Sequence, residues 1–174
     1  MIIGITGYKG SGKDTIGKYL IDNYNYKRYA FADPLKEICQ TLFSFNDEQL
    51  YGNLKEEQDQ YWKNSPRYFF QKIGTDLFRN QIDQDFWIKV LERKIITNLD
   101  QKIVITDVRF QNEFDMIKNL GGIVIRINNN NKIIQDNHES EQNINNFNVD
   151  YEINNNKNLE ELYQKIEIFI LNNK

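Results

Sequence analysis

At 174 residues the chain fits one domain with a real core, and 40% hydrophobic with 13% aromatic residues excludes a disordered polymer. A formal net charge of -3 excludes a broad polyanion-binding face, so no nucleic-acid partner is expected and any anion site must be local. The lone Cys39 excludes an intrachain disulfide, and no apolar run reaches the roughly 18 residues of a membrane span, so a cytoplasmic protein without a membrane partner is expected.

Met1 to Thr6 reads as a buried first strand, with Gly7 after it. Asp14 to Asn23 carries Ile16, Tyr19 and Leu20 at helical spacing. Lys27 to Ala32 reads as a second strand, and Asp33-Pro34 opens a helix with Asp as N-cap and Leu35, Ile38 and Leu42 on one face. Glu48 to Asn64 is polar and aperiodic, which predicts a mobile excursion with at most a short helix. Ser65-Pro66 repeats the cap-plus-proline start of a helix over Tyr68 to Gln81, and Phe86 to Asn98 forms another. Lys102 to Thr106 is a third strand. Asn112 to Leu120 is a helix closed by Gly121-Gly122, and Ile123 to Ile127 a fourth strand. Asn128 to Asn148 is the candidate flexible lid, Tyr151 to Ile153 a minimal fifth strand, and Leu159 to Leu171 a closing helix. Strands alternating with helices predict βαβ units, hence a three-layer α/β fold with a five-stranded parallel sheet flanked by helices. Of 24 asparagines, 15 lie from Asn128 onward, a bias that reads as compositional drift from an AT-rich genome.

The strongest local signal is Gly7-Tyr8-Lys9-Gly10-Ser11-Gly12-Lys13-Asp14-Thr15, a G-x-x-x-x-G-K motif between the first strand and the first helix. Gly7 and Gly12 let the backbone curl so that successive amides face inward as an anion nest, with Gly10 and Ser11 among the expected nucleotide-binding residues, and the helix N-terminus adds to the attraction. Lys13 reaches the β- and γ-phosphates of a nucleotide. Asp14 stands where a Mg²⁺-binding Ser or Thr usually follows the lysine, with Thr15 one place on, so either is a candidate metal contact. These residues predict a P-loop NTPase fold that binds a nucleotide phosphate, with Mg²⁺ as the expected metal.

Phosphoryl transfer is mainly alignment and charge neutralisation, so an acceptor that is itself a phosphate calls for several cations and no general base. Lys9 lies inside the P-loop, Lys36 in the first turn after Asp33-Pro34, and Arg67 in the first turn after Ser65-Pro66. Gln71 and Gly74-Thr75 follow Arg67 on successive turns, with Arg79 roughly on the same face. Asp107 and Arg109 follow the third strand, where Asp107 either holds Mg²⁺ or its water, or caps the next turn. Trp87 either lines a base pocket or packs in the core, and Arg126, ending strand four, is placed to reach ATP phosphates. His138 to Glu141 is the one polar cluster in the lid that is not mostly Asn, and it lacks the ligands of a zinc site.

Taken together, these segments resemble the deoxynucleoside monophosphate kinases of bacteriophages and large DNA viruses. The matching pieces are the P-loop with its Lys13-Asp14-Thr15 variant, Phe31-Ala32-Asp33-Pro34-Leu35-Lys36, Ser65-Pro66-Arg67 and Gly74-Thr75-Asp76. They continue through Phe86-Trp87, Asp107-Val108-Arg109-Phe110 with Asn112-Glu113, and His138 with Ser140-Glu141. The resemblance implies one NMP-kinase-like domain over residues 1–174, with an NMP-binding region near 35–98 and a lid near 128–148. It implies ATP as donor and a deoxynucleotide held by Lys9, Leu35, Lys36, Arg67, Gly74, Thr75, Trp87, Asp107, Arg109 and Glu113, in a monomer or homodimer. Lys13, Arg67, Arg109 and Asp107 are the expected catalytic set. The competing readings are a phosphomevalonate-kinase or dephospho-CoA-kinase type enzyme, the latter with Asp33 as base, and a nucleotide-binding switch without transferase activity.

Overall fold

In the computed structural model, which describes residues 1–129 and 144–173, five parallel strands form one sheet. They are β1 (Ile2–Thr6), β2 (Tyr26–Tyr29), β3 (Lys102–Val108), β4 (Ile123–Asn128) and β5 (Tyr151–Asn154), ordered β2-β3-β1-β4-β5. Every residue of β1 is buried, as expected for a central strand covered on both faces. Ile3 pairs with Val104 of β3 on one side and Ile123 of β4 on the other. From β1 the chain crosses to β2 at the edge, returns to β3 between β2 and β1, and then adds β4 and β5 on the other side, so the direction reverses beside β1. Crevices at the carboxyl ends of strands at such a switch point are where open α/β sheets bind ligands.

Residues Met1–Ala30 with Ile95–Lys174 form one compact unit, and Phe31–Lys94 a second. In the first unit, α1 (Lys13–Tyr24) and α7 (Leu159–Asn172) cover one face of the sheet, where Ile3, Ile5, Ile16, Leu20, Val104, Ile125, Ile166 and Phe169 form the core. On the opposite face, α6 (Gln111–Asn119) lies so near β1 that a Cβ on Gly4 would stand 2.7 Å from Ile117 Cδ1. The Asn158 side chain caps α7 by accepting from Glu161 N at 3.0 Å.

The second unit contains α2 (Asp33–Phe43), α3 (Asp47–Leu50), a 3₁₀ turn over Asn53–Glu56, and α4 (Pro66–Phe69), which runs on as a π-helix over Phe70–Ile82. α5 (Phe86–Ile96) follows and leads back to the first unit. Phe43 stacks on Phe45 at 5.3 Å and meets Trp62 edge-on at 5.0 Å and Phe69 at 4.4 Å, an aromatic core for this unit. Among the described residues no helix is long and apolar enough to cross a membrane.

Several expectations are revised. β2 stops at Tyr29 rather than Ala32, and α2 already includes Asp33, with Ala32 at the cap position and no side-chain cap bond. Leu42 is exposed, because α2 ends at Phe43 with Ser44 in the left-handed region and Phe43 and Phe45 take over the packing; Leu35 and Cys39 form the buried face. Burial pushes the Cys39 thiol up to about 11, so it stays protonated. The stretch after Glu48 is not a featureless excursion. Asp59 Oδ1 accepts from Tyr61 N and Trp62 N at 2.9 Å each, and Oδ2 from Gln49 Nε2 at 2.8 Å. These donors, the Trp62 amide foremost, hold the Asp59 carboxyl below its usual range. The helix after Ser65 is capped as expected, with Ser65 Oγ accepting from Tyr68 N, but most of it is wound wider than an α-helix. Of the candidate lid, residues 130–143 lie outside the described residues.

Leu20 is fully buried in the sheet–helix core. Leu20→Ala is expected to cost about 2–5 kcal/mol in denaturant-unfolding experiments, and a cost under about 1 kcal/mol would contradict this packing.

Candidate active site

β1 ends at Thr6, whose hydroxyl donates to Val108 O at 2.8 Å and ties the ends of β1 and β3 together. From there the backbone passes through Gly7 (φ 142), Gly10 (φ 76) and Gly12 (φ 110), all in the left-handed half of conformational space that only glycine enters cheaply. Lys13, the first residue of α1, folds back across the loop, and its Nζ donates to Gly7 O at 2.7 Å and Tyr8 O at 2.8 Å. The ammonium is thereby tied to the loop and largely buried. Ser11 Oγ is buried and makes no hydrogen bond to a described residue. Such a group costs stability unless a ligand oxygen satisfies it.

Beside the loop opens a cleft of about 750 Å³, lined by Gly10, Gly12 and Thr15 and by the β5–α7 loop with Asn155, Lys157 and Asn158. Thr15 thus lines the cleft, whereas Asp14 is exposed. Lys9 is half-buried within the loop.

Asp107 is the penultimate residue of β3 and half-buried, and Arg109 follows the strand end. Glu113, buried in the first turn of α6, accepts from Arg109 N at 2.7 Å and Phe110 N at 3.1 Å. Its carboxylate caps the helix and fixes the backbone that carries Arg109. Arg126 is buried in β4, where its guanidinium donates to Glu152 and to the carbonyls of Ile144 and Phe147. In this geometry it anchors the return of the chain at residue 144.

In the second unit, Leu35, Gly74 and Trp87 form one packed contact. A Cβ on Gly74 would stand 2.5 Å from Leu35 Cδ2, and Trp87 Nε1 donates to Gly74 O at 2.8 Å. Trp87 also packs against Phe78 at 5.2 Å and Phe86 at 4.9 Å, so its indole is a core group that holds the π-wound segment. That segment carries half-buried Gln71 and buried Gly74, Thr75 and Arg79. Asp33 is half-buried at the start of α2. Lys36 Nζ lies 4.1 Å from the Tyr51 ring centroid, a cation–π contact. Arg67 Nη1 lies 3.7 Å from Glu56 Oε1. His138 to Glu141 falls outside the described residues.

Sequence reasoning passed over the Asn154–Asn158 stretch, which lies against the P-loop: Asn155 Nδ2 donates to Ser11 O at 2.8 Å. Its one available signal was position, between the last strand and the last helix. The asparagine bias of the whole C-terminal third hid it.

A glycine-rich anion cradle joining the first strand to the first helix of a parallel sheet defines a P-loop kinase fold. Solved structures agree: shikimate kinase from Aquifex aeolicus superposes with TM-score 0.60 at 18% identity, covering 99% of this chain and 98% of that one. Dephospho-CoA kinase from Campylobacter jejuni gives 0.55 at 16% identity, covering 98% and 96%. Sequence comparison is narrower. The profile of the deoxynucleotide monophosphate kinases matches residues 1–61 and 49–166, and the chain belongs to this family. A candidate deoxynucleotide monophosphate kinase of Acanthamoeba polyphaga mimivirus is 38% identical over 95% of this chain and 94% of its own. The deoxynucleoside-5'-monophosphate kinase of Escherichia phage T5 is 26% identical over 68% and 72%. The deoxynucleotide monophosphate kinase of Enterobacteria phage T4 is 22% identical over 95% and 97%.

Trp87→Phe keeps the ring packing but leaves the buried Gly74 carbonyl without its indole donor. It is expected to cost about 1–3 kcal/mol of stability, read by thermal and denaturant unfolding. No loss of stability would show that this bond does not hold the segment.

Proposed function

We propose that the protein transfers the γ-phosphoryl group of ATP to a deoxynucleoside monophosphate, giving ADP and a deoxynucleoside diphosphate. The observation that carries this reading is the Lys13 ammonium poised across a three-glycine cradle at the sheet's switch point, in a chain of this family. The cradle's amides bind the phosphates of ATP, and the unpartnered Ser11 hydroxyl lies among them. Lys13 exchanges two neutral carbonyls for phosphate oxygens, to which a charged donor binds more strongly.

An ionised oxygen of the acceptor phosphate attacks the γ-phosphorus while the bond to the β–γ bridging oxygen breaks. No proton has to be removed. Lys36 and Arg67 bind the acceptor in the second unit, where Asp33, Leu35, Gln71, Gly74, Thr75 and Trp87 shape its surroundings. Lys9 and Arg109 neutralise charge on the transferred group, with Arg109 aimed by the Glu113 cap. Arg126 serves the donor phosphates by anchoring the chain at Ile144 and Phe147.

The hydroxyl and carboxylate oxygens here suit Mg²⁺, a hard cation. Among the described residues no three His, Cys, Asp or Glu side chains cluster to cage a metal, and the phosphates of a bound nucleotide would supply further oxygens. Thr15, which lines the cleft, and Asp107 are the residues that would hold it, and Asp14 would act through water. When bound, Mg²⁺ screens the phosphate charge. The reading places the protein in the cytoplasm with free nucleotides, as a monomer or homodimer.

Incubation with ATP and a panel of dNMPs, NMPs, phosphomevalonate and dephospho-CoA tests the assignment. Turnover is expected with dNMPs in preference to NMPs; turnover of another acceptor alone, or ATP hydrolysis without a phosphorylated acceptor, would overturn it. Lys13→Ala should lower kcat by about 10²- to 10³-fold, and near-normal turnover would remove the lysine from the mechanism. Because the acceptor phosphate's own second ionisation lies near pH 6, kcat/KM for the dNMP should rise through that pH and then stay flat to pH 9. A further rise with an apparent pKa above 7 would point to a general base.

A further inference from the structure

The P-loop contains a peptide that its own sequence does not orient. The Ser11–Gly12 peptide is trans, so its carbonyl and its N–H point to opposite sides. A flip of this peptide changes ψ of Ser11 and φ of Gly12. Gly12 accepts φ of either sign, so local sterics permit both orientations. In one of them the Gly12 N–H faces the anion; in the other a carbonyl oxygen does, and the site repels what it is built to bind.

A side chain 144 positions away removes this freedom. Asn155 Nδ2 donates to Ser11 O at 2.8 Å, which holds the carbonyl on the side of the β5–α7 loop. The Gly12 N–H is thereby turned to the opposite side, and no described residue takes it as a hydrogen-bond donor. The fit is close: a Cβ on Gly12 would stand 2.6 Å from Asn155 Nδ2. Asn155 is itself fixed. Its N–H donates to Asn128 O at 2.7 Å as the continuation of the β4–β5 pairing, and Lys165 Nζ holds Asn154 O at 2.7 Å. Three residues on, Asn158 caps α7. The clamp thus stands on the sheet edge and the last helix.

We propose that Asn155 is a positioning residue for the donor nucleotide: its side-chain amide locks the Ser11–Gly12 peptide with the Gly12 N–H facing the phosphates of the bound nucleoside triphosphate. This rests on the P-loop as the ATP site proposed above, but not on the identity of the acceptor.

The test compares wild type with Asn155→Leu, which keeps the volume without a donor, Asn155→Ala, and Asn155→His, whose ring N–H keeps a donor near the same place. All three retain the backbone N–H that bonds Asn128. Calorimetric titration with ATP should show binding weakened about tenfold in the Leu and Ala variants, the size of one lost charge-assisted bond. Histidine should restore it to within threefold of wild type. Affinity for a dNMP alone should stay within twofold throughout, a separation that general loosening of the fold would not produce. A folded Leu or Ala variant that binds ATP within twofold of wild type overturns the proposal. So does failure of all three variants to fold, which would make Asn155 a stability residue. A wild type that binds ATP but phosphorylates no dNMP would refute the proposed reaction while the ATP titrations still decide on Asn155.

Discussion

Everything at the P-loop depends on one backbone constraint: the chain leaving β1 must reverse into α1 through a tight glycine-rich turn, across which Ser11 N donates to Tyr8 O at 3.1 Å. That conformation takes residues at φ 142, 76 and 110, and the sequence places glycine at each. The rest of the first unit serves to hold the two ends of this loop. β1 is buried between β3 and β4, Thr6 is tied to Val108, and α1 is packed on Ile3, Ile5 and Val104 through Ile16 and Leu20. A rigid scaffold lets strained loop conformations persist where a ligand is to bind.

The cations show a common arrangement. Lys13 rests on two carbonyls, Lys36 on the face of Tyr51, and Arg67 at 3.7 Å from a half-exposed Glu56. Each partner is weaker than a phosphate for that cation, through neutrality, through the diffuse charge of a ring, or through solvent screening. Arg126 differs, since its guanidinium joins a carboxylate and two carbonyls in a buried network. Glu113 likewise accepts from two backbone amides, at the start of α6.

The strands and the P-loop were legible because their signals are local. Apolar runs such as Ile103–Ile105 have no other soluble home, and G-x-x-x-x-G-K between strand and helix carries its own geometry. Ser65-Pro66 was readable for the same reason. The features that escaped are set by distant partners. Nothing within Phe70–Ile82 announces π-winding, which accompanies a bond from Trp87 to Gly74. The ordered turn around Asp59 draws on Gln49, Tyr61 and Trp62. Trp87 was open between pocket and core on pattern alone, and only its hydrogen bond and ring contacts show the core role. Asn155 was least visible, one asparagine among 15 from Asn128 onward, and distinguished only by the carbonyl it meets.

The proposed reaction is a direct transfer between two phosphates, with the protein supplying alignment and charge rather than a covalent carrier. Transfer of a chirally labelled thiophosphoryl group from the γ-position of the donor tests it most directly. The label is expected in the deoxynucleoside diphosphate with inverted configuration at phosphorus, the outcome of a single in-line displacement. Retention of configuration, or release of the label without a nucleotide product, would contradict it.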